Sequence, residues 1–183
     1  MYNEPDVGIE TSDPYEQYYF GAWVEGYDFY DAGYRYGQMT KVVYHLFKTQ
    51  CSNVKLIGGA LVGGDNSFEF LRGMLDGGLQ ADYLSFHQYV FSEKDFYSPF
   101  MYSEKLRQQT MLPFILTETS LLSATGGEEH EKLKAKYIQY LKDRLPWSEI
   151  RFALIYNICG SWMNSALAPE CIAGDAYKVW FSP

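Results

Sequence analysis

Basic residues are scarce in this sequence. Its 183 residues include 15 Lys and Arg against 23 Asp and Glu, which gives a net charge of −8 and an isoelectric point near 4.8. No basic stripe is therefore available to neutralise phosphates, which argues against nucleic acids and anionic membrane surfaces as partners. This charge balance fits an uncharged substrate.

Long apolar runs and metal-binding cysteine patterns are also missing. No apolar run approaches the roughly 18 residues that cross a bilayer. The sequence also lacks a charged start followed by an apolar segment, so it predicts no signal peptide. The three cysteines, Cys51, Cys159 and Cys171, lack metal-site spacing such as C-x-x-C. Cys159 and Cys171 either pair or remain buried free thiols, and the sequence leaves both alternatives open.

Aromatic residues, by contrast, are abundant. The chain has 17 Tyr, 12 Phe and 4 Trp, which together make up 18% of its residues. Tyr and Trp offer flat apolar faces with a polar edge, which suits sugar rings and protein interfaces, but a Tyr-rich core would give the same composition. The length is sufficient for one domain with a core, and we expect residues 1–183 to form a single domain.

Short apolar runs alternate with helical patterns along the chain. The runs predict buried strands at 54–59, 82–87, 113–118 and 150–156. The patterns at three- and four-residue steps predict helices at 28–50, 66–78, 102–111 and 128–145, with a last helix at 174–181. Strict alternation predicts an α/β fold with a parallel sheet and right-handed crossovers.

Two architectures fit this alternation: an open doubly wound sheet and part of a (β/α)8 barrel. No Gly-x-Gly-x-x-Gly follows the first predicted strand, since Gly58-Gly59 and Gly63-Gly64 do not form that motif. A dinucleotide site therefore lacks support.

Polar residues follow the predicted strands at their carboxyl ends, which in a barrel form the active face. His87 and Tyr89 follow the second strand, Glu118 ends the third, and Trp162 lies five residues after Asn157, beyond the fourth. A carboxylate that ends a buried strand is costly to desolvate unless it has partners or a catalytic role, although a strand-end Glu that reaches solvent would cost little. His87 and Tyr89 lie two residues apart and would face one side of a strand, although a hydrogen-bonded core His is the common alternative.

The segment Asn3-Glu4-Pro5 adds a second carboxylate if it also ends a strand. Glycosidic bond cleavage needs two carboxylates, one as acid and one as nucleophile or base, which stand about 5–5.5 Å apart in retaining enzymes. Aromatic platforms for a sugar could come from Trp162, Tyr89 and the Tyr-rich stretch 15–36. Glu4 and Glu118 are therefore the candidate catalytic pair.

The ordered set Asn3-Glu4-Pro5, His87-Gln88-Tyr89, Glu118 and Trp162 resembles the retaining glycoside hydrolases of clan A, which are (β/α)8 barrels. In that clan, Asn-Glu-Pro closes the fourth strand and a second Glu closes the seventh. The stretches 57–59 and 84–89 look like the cellulase and β-xylosidase-like branches of the clan.

The resemblance implies a role for each matching residue. Glu4 would be the acid/base and Glu118 the nucleophile. Asn3 would bind the sugar 2-hydroxyl, while Trp162 would stack on the sugar ring. His87 and Tyr89 would hold the glycone and tune Glu118. The implied partner is an oligosaccharide, polysaccharide or glycoside, and no metal or organic cofactor is expected.

The same resemblance implies a partial (β/α)8 barrel that contains the end of strand four and strands five to eight. We expect the amino-terminal half-barrel to be absent from this chain and the isolated chain to be an incomplete enzyme. Either a separate amino-terminal half or a second copy would cover the open sheet edges.

Two other function classes stay open. The first is a carbohydrate-binding or interaction protein on a barrel that has lost catalysis, although a pure binder has no need of two opposed carboxylates. The second is another barrel hydrolase or lyase that ends two strands in Glu; the residues around Glu4, together with Trp162, argue against it.

Overall fold

The computed structural model describes residues 6, 28–123, 126–156 and 178. Within them the α-helices are α1 (Phe29–Gln50), α2 (Asp65–Asp76), α3 (Ser98–Arg107) and α4 (Glu128–Arg144). The strands are β1 (Ile57–Leu61), β2 (Tyr83–His87), β3 (Phe114–Thr119) and β4 (Ile150–Ile155). Two 3-10 turns, Glu93–Asp95 and Leu145–Trp147, precede α3 and β4.

The strands described here form one four-stranded sheet in the order β1-β2-β3-β4. β1 and β2 are parallel, with Ile57 opposite Tyr83 and Gly58 opposite Leu84. The register shifts between Gly59 and Leu61, where Ala60 has a φ of 66°. The predicted α/β alternation with a parallel sheet is confirmed.

Two element boundaries differ from the prediction by several residues. β1 begins at Ile57 and not at Val54, because the Val54 N–H closes a turn on the Cys51 carbonyl and the Leu56 N–H donates to the Asp82 carboxylate. The third helix was predicted at 102–111 and spans Ser98–Arg107. It ends earlier than predicted because the Gln108 and Gln109 N–H groups bond three residues back, to the Lys105 and Leu106 carbonyls, and so leave the α-helical pattern.

The predicted last helix, 174–181, lies outside the described residues except for Lys178, which is helical. Cys51 is an exposed free thiol, and Cys159 and Cys171 also lie outside the described residues.

The chain divides into two compact units, residues 1–86 with 105–114 and residues 87–104 with 115–183. The expectation of a single domain stays a prediction. The boundaries pass through β2, α3 and β3, and each unit is described by itself below.

The first unit contains a close crossing of α1 and α2 at glycines. A Cβ atom at Gly33 would lie 2.0 Å from the Phe70 carbonyl oxygen, and one at Gly73 would lie 2.0 Å from the Tyr30 carbonyl oxygen. Gly37 makes the same kind of contact one turn further along α1. The two backbones approach so closely that only glycine fits.

The buried carboxylate of Asp6 belongs to the same unit. It accepts the Val62 N–H at 3.0 and 3.1 Å and the hydroxyl of Ser67. These bonds hold residue 6 at the carboxyl end of β1 and the first turn of α2. Nearby, burial raises the pKa of Tyr36 to about 12, and its ring packs edge-on against Phe70 at 5.7 Å.

The second unit has an aromatic core beside α4. Phe96 packs against Tyr137 and Tyr140 with ring centroids 5.1 and 5.8 Å apart, and Phe100 packs against Tyr140 at 6.0 Å. These contacts hold the segment 93–104 on α4.

Among the helices described, none is long and apolar enough to cross a membrane.

Candidate active site

The second unit brings the carboxyl ends of β2 and β3 side by side. The Gln88 N–H donates to the Glu118 carbonyl at 3.0 Å, and the Val90 N–H donates to the Ser120 carbonyl at 3.0 Å. The pairing therefore continues past His87, so His87 and Tyr89 keep the alternation of a strand and face one side. This places both side chains next to Glu118.

Glu118 is the centre of this cluster. The Tyr89 hydroxyl donates to Glu118 Oε2 at 2.5 Å, and His87 Nδ1 lies 3.6 Å from the same oxygen. The His87 side chain is buried, whereas that of Glu118 is 23% exposed. Of the two carboxylate oxygens, Oε2 is held by Tyr89, and no hydrogen bond from a described residue reaches Oε1.

Tyr156 adds an aromatic wall from the end of β4. Its N–H donates to the Thr119 carbonyl at 2.9 Å, which fixes it beside the end of β3. Its ring meets the Tyr89 ring edge to face, at 5.8 Å and an interplanar angle of 85°. The sequence places Tyr156 at the end of a predicted strand, but nothing in that pattern pairs it with Tyr89.

Thr119 supports Glu118 from the residue that follows it. The Thr119 hydroxyl donates to the Gln88 carbonyl at 2.7 Å and also pairs with the Tyr137 hydroxyl of α4. Because the one Thr119 hydroxyl proton goes to Gln88, Tyr137 is the donor in that second bond. Burial raises the pKa of Tyr137, so its hydroxyl stays protonated and able to donate. Sequence reasoning did not find these two supporting residues.

The arrangement is a carboxylate with one oxygen held by a hydrogen bond and no such bond from the described residues at the other, beside two tyrosines and a histidine. A hydrogen bond to a charged oxygen is short and strong, so the carboxylate plane is held in one orientation. Such a group can act as a nucleophile or as a base toward a molecule that enters beside it. Among the described residues, no group of three or more His, Cys, Asp or Glu side chains could hold a metal ion.

Three residues of the predicted site, Asn3, Glu4 and Trp162, lie outside the described residues. Their places in the site stay predictions. Of the predicted set, the structure brings His87, Tyr89 and Glu118 together.

No protein-family model matches the chain, and no curated protein sequence matches it. Solved structures do. A GH128 subgroup II endo-β-1,3-glucanase from Sorangium cellulosum superimposes with a TM-score of 0.64 and 14% identity, over 86% of this chain and 63% of that one. A GH128 subgroup I endo-β-1,3-glucanase from Amycolatopsis mediterranei, in complex with laminaripentaose, gives a TM-score of 0.59 at 16% identity, over 77% of this chain and 64% of that one.

A third similar structure is fungal. The GH128 subgroup V exo-β-1,3-glucanase from Cryptococcus neoformans gives a TM-score of 0.55 at 22% identity, over 76% of this chain and 59% of that one. The chain shares the fold of these glycoside hydrolases. It spans less than two thirds of the length of each, at 63%, 64% and 59%.

The shared fold confirms the predicted α/β class, a partial (β/α)8 barrel. It also supports the resemblance to glycoside hydrolases at the level of the fold. These three structures are β-1,3-glucanases, so they do not support the cellulase or β-xylosidase-like branch that stretches 57–59 and 84–89 suggest.

Proposed function

We propose that the chain carries the catalytic pair of a retaining glycoside hydrolase, with Glu118 as the nucleophile. The observation behind this proposal is the placement of Glu118 at the carboxyl end of β3, with Oε2 held by Tyr89 and no hydrogen bond from a described residue at Oε1. In a (β/α)8 barrel, the carboxyl ends of the strands carry the catalytic residues. The fold shared with β-1,3-glucanases supports the same reaction class.

Glu118 and Glu4 divide the reaction in this proposal. Glu118 Oε1 attacks the anomeric carbon as Glu4 protonates the departing glycosidic oxygen, and a covalent glycosyl-enzyme forms. Glu4, now a carboxylate, takes a proton from water, which attacks the same carbon and releases Glu118. The Tyr89 hydroxyl fixes the carboxylate plane during the attack, and His87 lies beside the same oxygen.

The proposed substrate is a neutral β-glucan, most specifically a chain with β-1,3 links. The Amycolatopsis mediterranei enzyme was crystallised with laminaripentaose. In this chain, the Tyr89 and Tyr156 rings border Glu118 and offer apolar surface to a sugar. Asn3 and Trp162 complete the proposed binding set, with Asn3 on the sugar 2-hydroxyl and Trp162 on the sugar face.

Completion of the barrel is a further part of the proposal. β4 ends the strand order of the described sheet, and Phe152 and Leu154 on it are 45% and 50% exposed. A strand at the end of a sheet offers an edge with which additional strands can pair. An amino-terminal half-barrel, or a second copy of the chain, would supply them.

The test is trapping of the covalent intermediate with a mechanism-based fluoroglycoside of β-1,3-linked glucose. We expect the label on the peptide that contains Glu118, and we expect Glu118→Ala to lose laminari-oligosaccharide hydrolysis by at least about a thousandfold. Added azide should then restore product release as a glycosyl azide of inverted anomeric configuration. Label on any other carboxylate would refute the nucleophile assignment.

Glu128→Gln is the matched control, because Glu128 is an exposed glutamate of the same unit. It should leave hydrolysis and labelling unchanged. If the chain binds laminari-oligosaccharides without hydrolysis or labelling, both alone and when joined to an amino-terminal half-barrel, then the alternative of an inactive carbohydrate-binding barrel is the correct one.

A further inference from the structure

A cleft lies on the second unit, away from Glu118. It has a volume of about 350 Å³, within the usual range for ligand sites, and lies between α3 and the segment that joins α4 to β4. Ser148 and Glu149 line it just before β4 begins, whereas Tyr156 borders Glu118 just after β4 ends. The six residues of β4 separate the two places by about 20 Å.

Trp147 gives this cleft an exposed aromatic face. It is 88% exposed, the largest exposed fraction among the exposed large apolar side chains of the described residues. Its backbone is held in the 3-10 turn, since the Ser148 hydroxyl donates to the Leu145 carbonyl at 3.0 Å and accepts the Ile150 N–H at 3.2 Å. An exposed indole on a turn of fixed conformation can stack against the flat face of a ligand.

Hydrogen-bonding groups in the cleft are ordered before any ligand arrives. The Arg144 guanidinium lies over the Tyr97 ring at 6.0 Å and over the Tyr140 ring at 5.6 Å. The Tyr97 hydroxyl donates to Glu104 Oε1 at 2.6 Å, which orients that carboxylate. The cleft beside Trp147 is therefore lined by one oriented hydrogen-bond donor, the Arg144 guanidinium, and one oriented acceptor, the Glu104 carboxylate.

The chemistry of this cleft suits an uncharged ring with several hydroxyl groups. Arg144, Glu104 and Glu149 leave one net negative charge, which disfavours phosphate and other anions. A sugar ring offers apolar C–H faces for an indole and hydroxyls for a carboxylate and a guanidinium. A purely apolar ligand would take these charged groups out of water and offer them no hydrogen bond of its own.

We propose that the cleft around Trp147, Arg144 and Glu104 is a second saccharide-binding site. It holds a β-glucan chain at a distance from Glu118 and so retains the polymer on the protein between cleavages. The choice of β-glucan as the saccharide rests on the function proposed above. The cleft itself is argued only from its own side chains.

The experiment is a titration of the Glu118→Gln protein with laminarihexaose, followed by calorimetry and by Trp fluorescence. The Glu118 substitution prevents substrate consumption. We expect Trp147→Ala to weaken one class of binding by about tenfold and Trp147→Phe to restore part of that affinity. Because Trp147 is almost fully exposed, we expect its removal to leave the urea midpoint of unfolding unchanged.

Phe91→Ala is the matched control, since Phe91 is a 63% exposed aromatic residue of the same unit outside the cleft. It should leave binding unchanged. Laminarihexaose affinity that is unaltered by Trp147→Ala, or no binding at all, would overturn the proposal. A change in oligomeric state without a change in sugar affinity would also overturn it and assign Trp147 to an interface between copies.

The two proposals fail separately. In the protein with Glu118 intact, Trp147→Ala should lower binding to insoluble β-1,3-glucan and leave hydrolysis of a short chromogenic glycoside unchanged. Loss of fluoroglycoside labelling at Glu118 together with intact Trp147-dependent binding would refute only the hydrolase. Intact labelling together with Trp147-independent binding would refute only the second site.

Discussion

At the scale of single residues, the hydrogen bond from the Tyr89 hydroxyl fixes the orientation of the Glu118 carboxylate. Its bond to Oε2 is 2.5 Å long, and Thr119 and Tyr137 hold the backbone of β3 immediately beside it. The sequence predicted that His87, Tyr89 and Glu118 face one place, because each follows a buried apolar run. It did not predict the hydrogen bond, since that depends on the separation of two strands.

Tyr89→Phe removes that hydroxyl and keeps the ring. A hydrogen bond to a charged group is worth about 1.5–3 kcal/mol, so under the proposed function we expect kcat for laminari-oligosaccharides to fall about 10–100-fold. KM should change less than about threefold, because the ring that faces Tyr156 remains. Steady-state kinetics measures both quantities.

Tyr44→Phe is the control for Tyr89→Phe, because Tyr44 lies on α1 and outside the Glu118 cluster. An unchanged kcat in Tyr89→Phe, or an equal fall in both variants, would contradict the positioning role. Equal denaturation midpoints for the two variants would exclude a general loss of structure.

At the scale of elements, the crossing of α1 and α2 is set by glycines spaced four residues apart. Gly33 and Gly37 lie on one face of α1, and Gly73 and Gly77 supply the matching surface at α2. The apolar periodicity of the sequence predicted both helices to within two residues at each end. The glycine spacing gave no separate signal, because glycine in a helix is unfavourable until another backbone lies against it.

Gly33→Ala tests this crossing. The new Cβ would meet the Phe70 carbonyl oxygen at 2.0 Å, and backbone cannot give way as a side chain does. We expect the free energy of unfolding to fall by about 2–3 kcal/mol, although alanine is the better helix former. Urea denaturation followed by circular dichroism measures the change.

Gln38→Ala on the exposed side of α1 is the control for this variant. It should leave the free energy of unfolding within about 0.5 kcal/mol of the unsubstituted chain. If Gly33→Ala is equally stable, then the close approach of the two helices is not required.

Among the elements, the strands that carry the site were predicted well and α3 was not. β2 and β3 were predicted to within one residue, since each is a continuous apolar run. α3 begins four residues before its predicted start at residue 102, because Phe100 and Tyr97 pack with Tyr140 and Arg144 of α4. Contacts of that kind cannot be read from the periodicity of 98–107 alone.

At the scale of the whole molecule, Asp82 links its own segment of the first unit to α1 and to residues 55–56. Its carboxylate bonds to Lys48 of α1 at 2.8 Å, to Lys55 at 3.3 Å and to the Leu56 N–H at 2.8 Å. Desolvation of the Asp82 carboxyl would raise its pKa, but the Lys48, Leu56 and Lys55 hydrogen bonds outweigh it and lower the pKa to about 2.

This lowered pKa predicts how stability depends on pH. The charged carboxylate is favoured in the folded state, so its stabilisation is fully present above the ordinary pKa of 3.8. It is lost as the pH falls through 3.8 toward 2. We therefore expect the unsubstituted chain to be more stable than Asp82→Asn near neutral pH, with the difference vanishing near pH 2.

Urea unfolding of both proteins between about pH 2 and 6 measures this difference. Asp31→Asn is the control, because Asp31 pairs with Arg35 on the exposed surface of α1. That variant should show little difference from the unsubstituted chain at any pH. A constant gap between Asp82→Asn and the unsubstituted chain across the range would show that Asp82 acts through packing and not through its charge.

The sequence by itself determined the α/β alternation, the parallel sheet and the positions of His87, Tyr89 and Glu118 at strand ends. These follow from local patterns, since apolar periodicity and chain order act over a few residues. Only the tertiary structure decided that the Tyr89 hydroxyl bonds to one oxygen of Glu118 and that the Tyr156 ring packs against Tyr89 beside it. It also decided that Trp147 is exposed at the rim of a polar cleft. Each of these depends on the distance between residues that are far apart in the chain, and packing of whole strands and helices sets that distance.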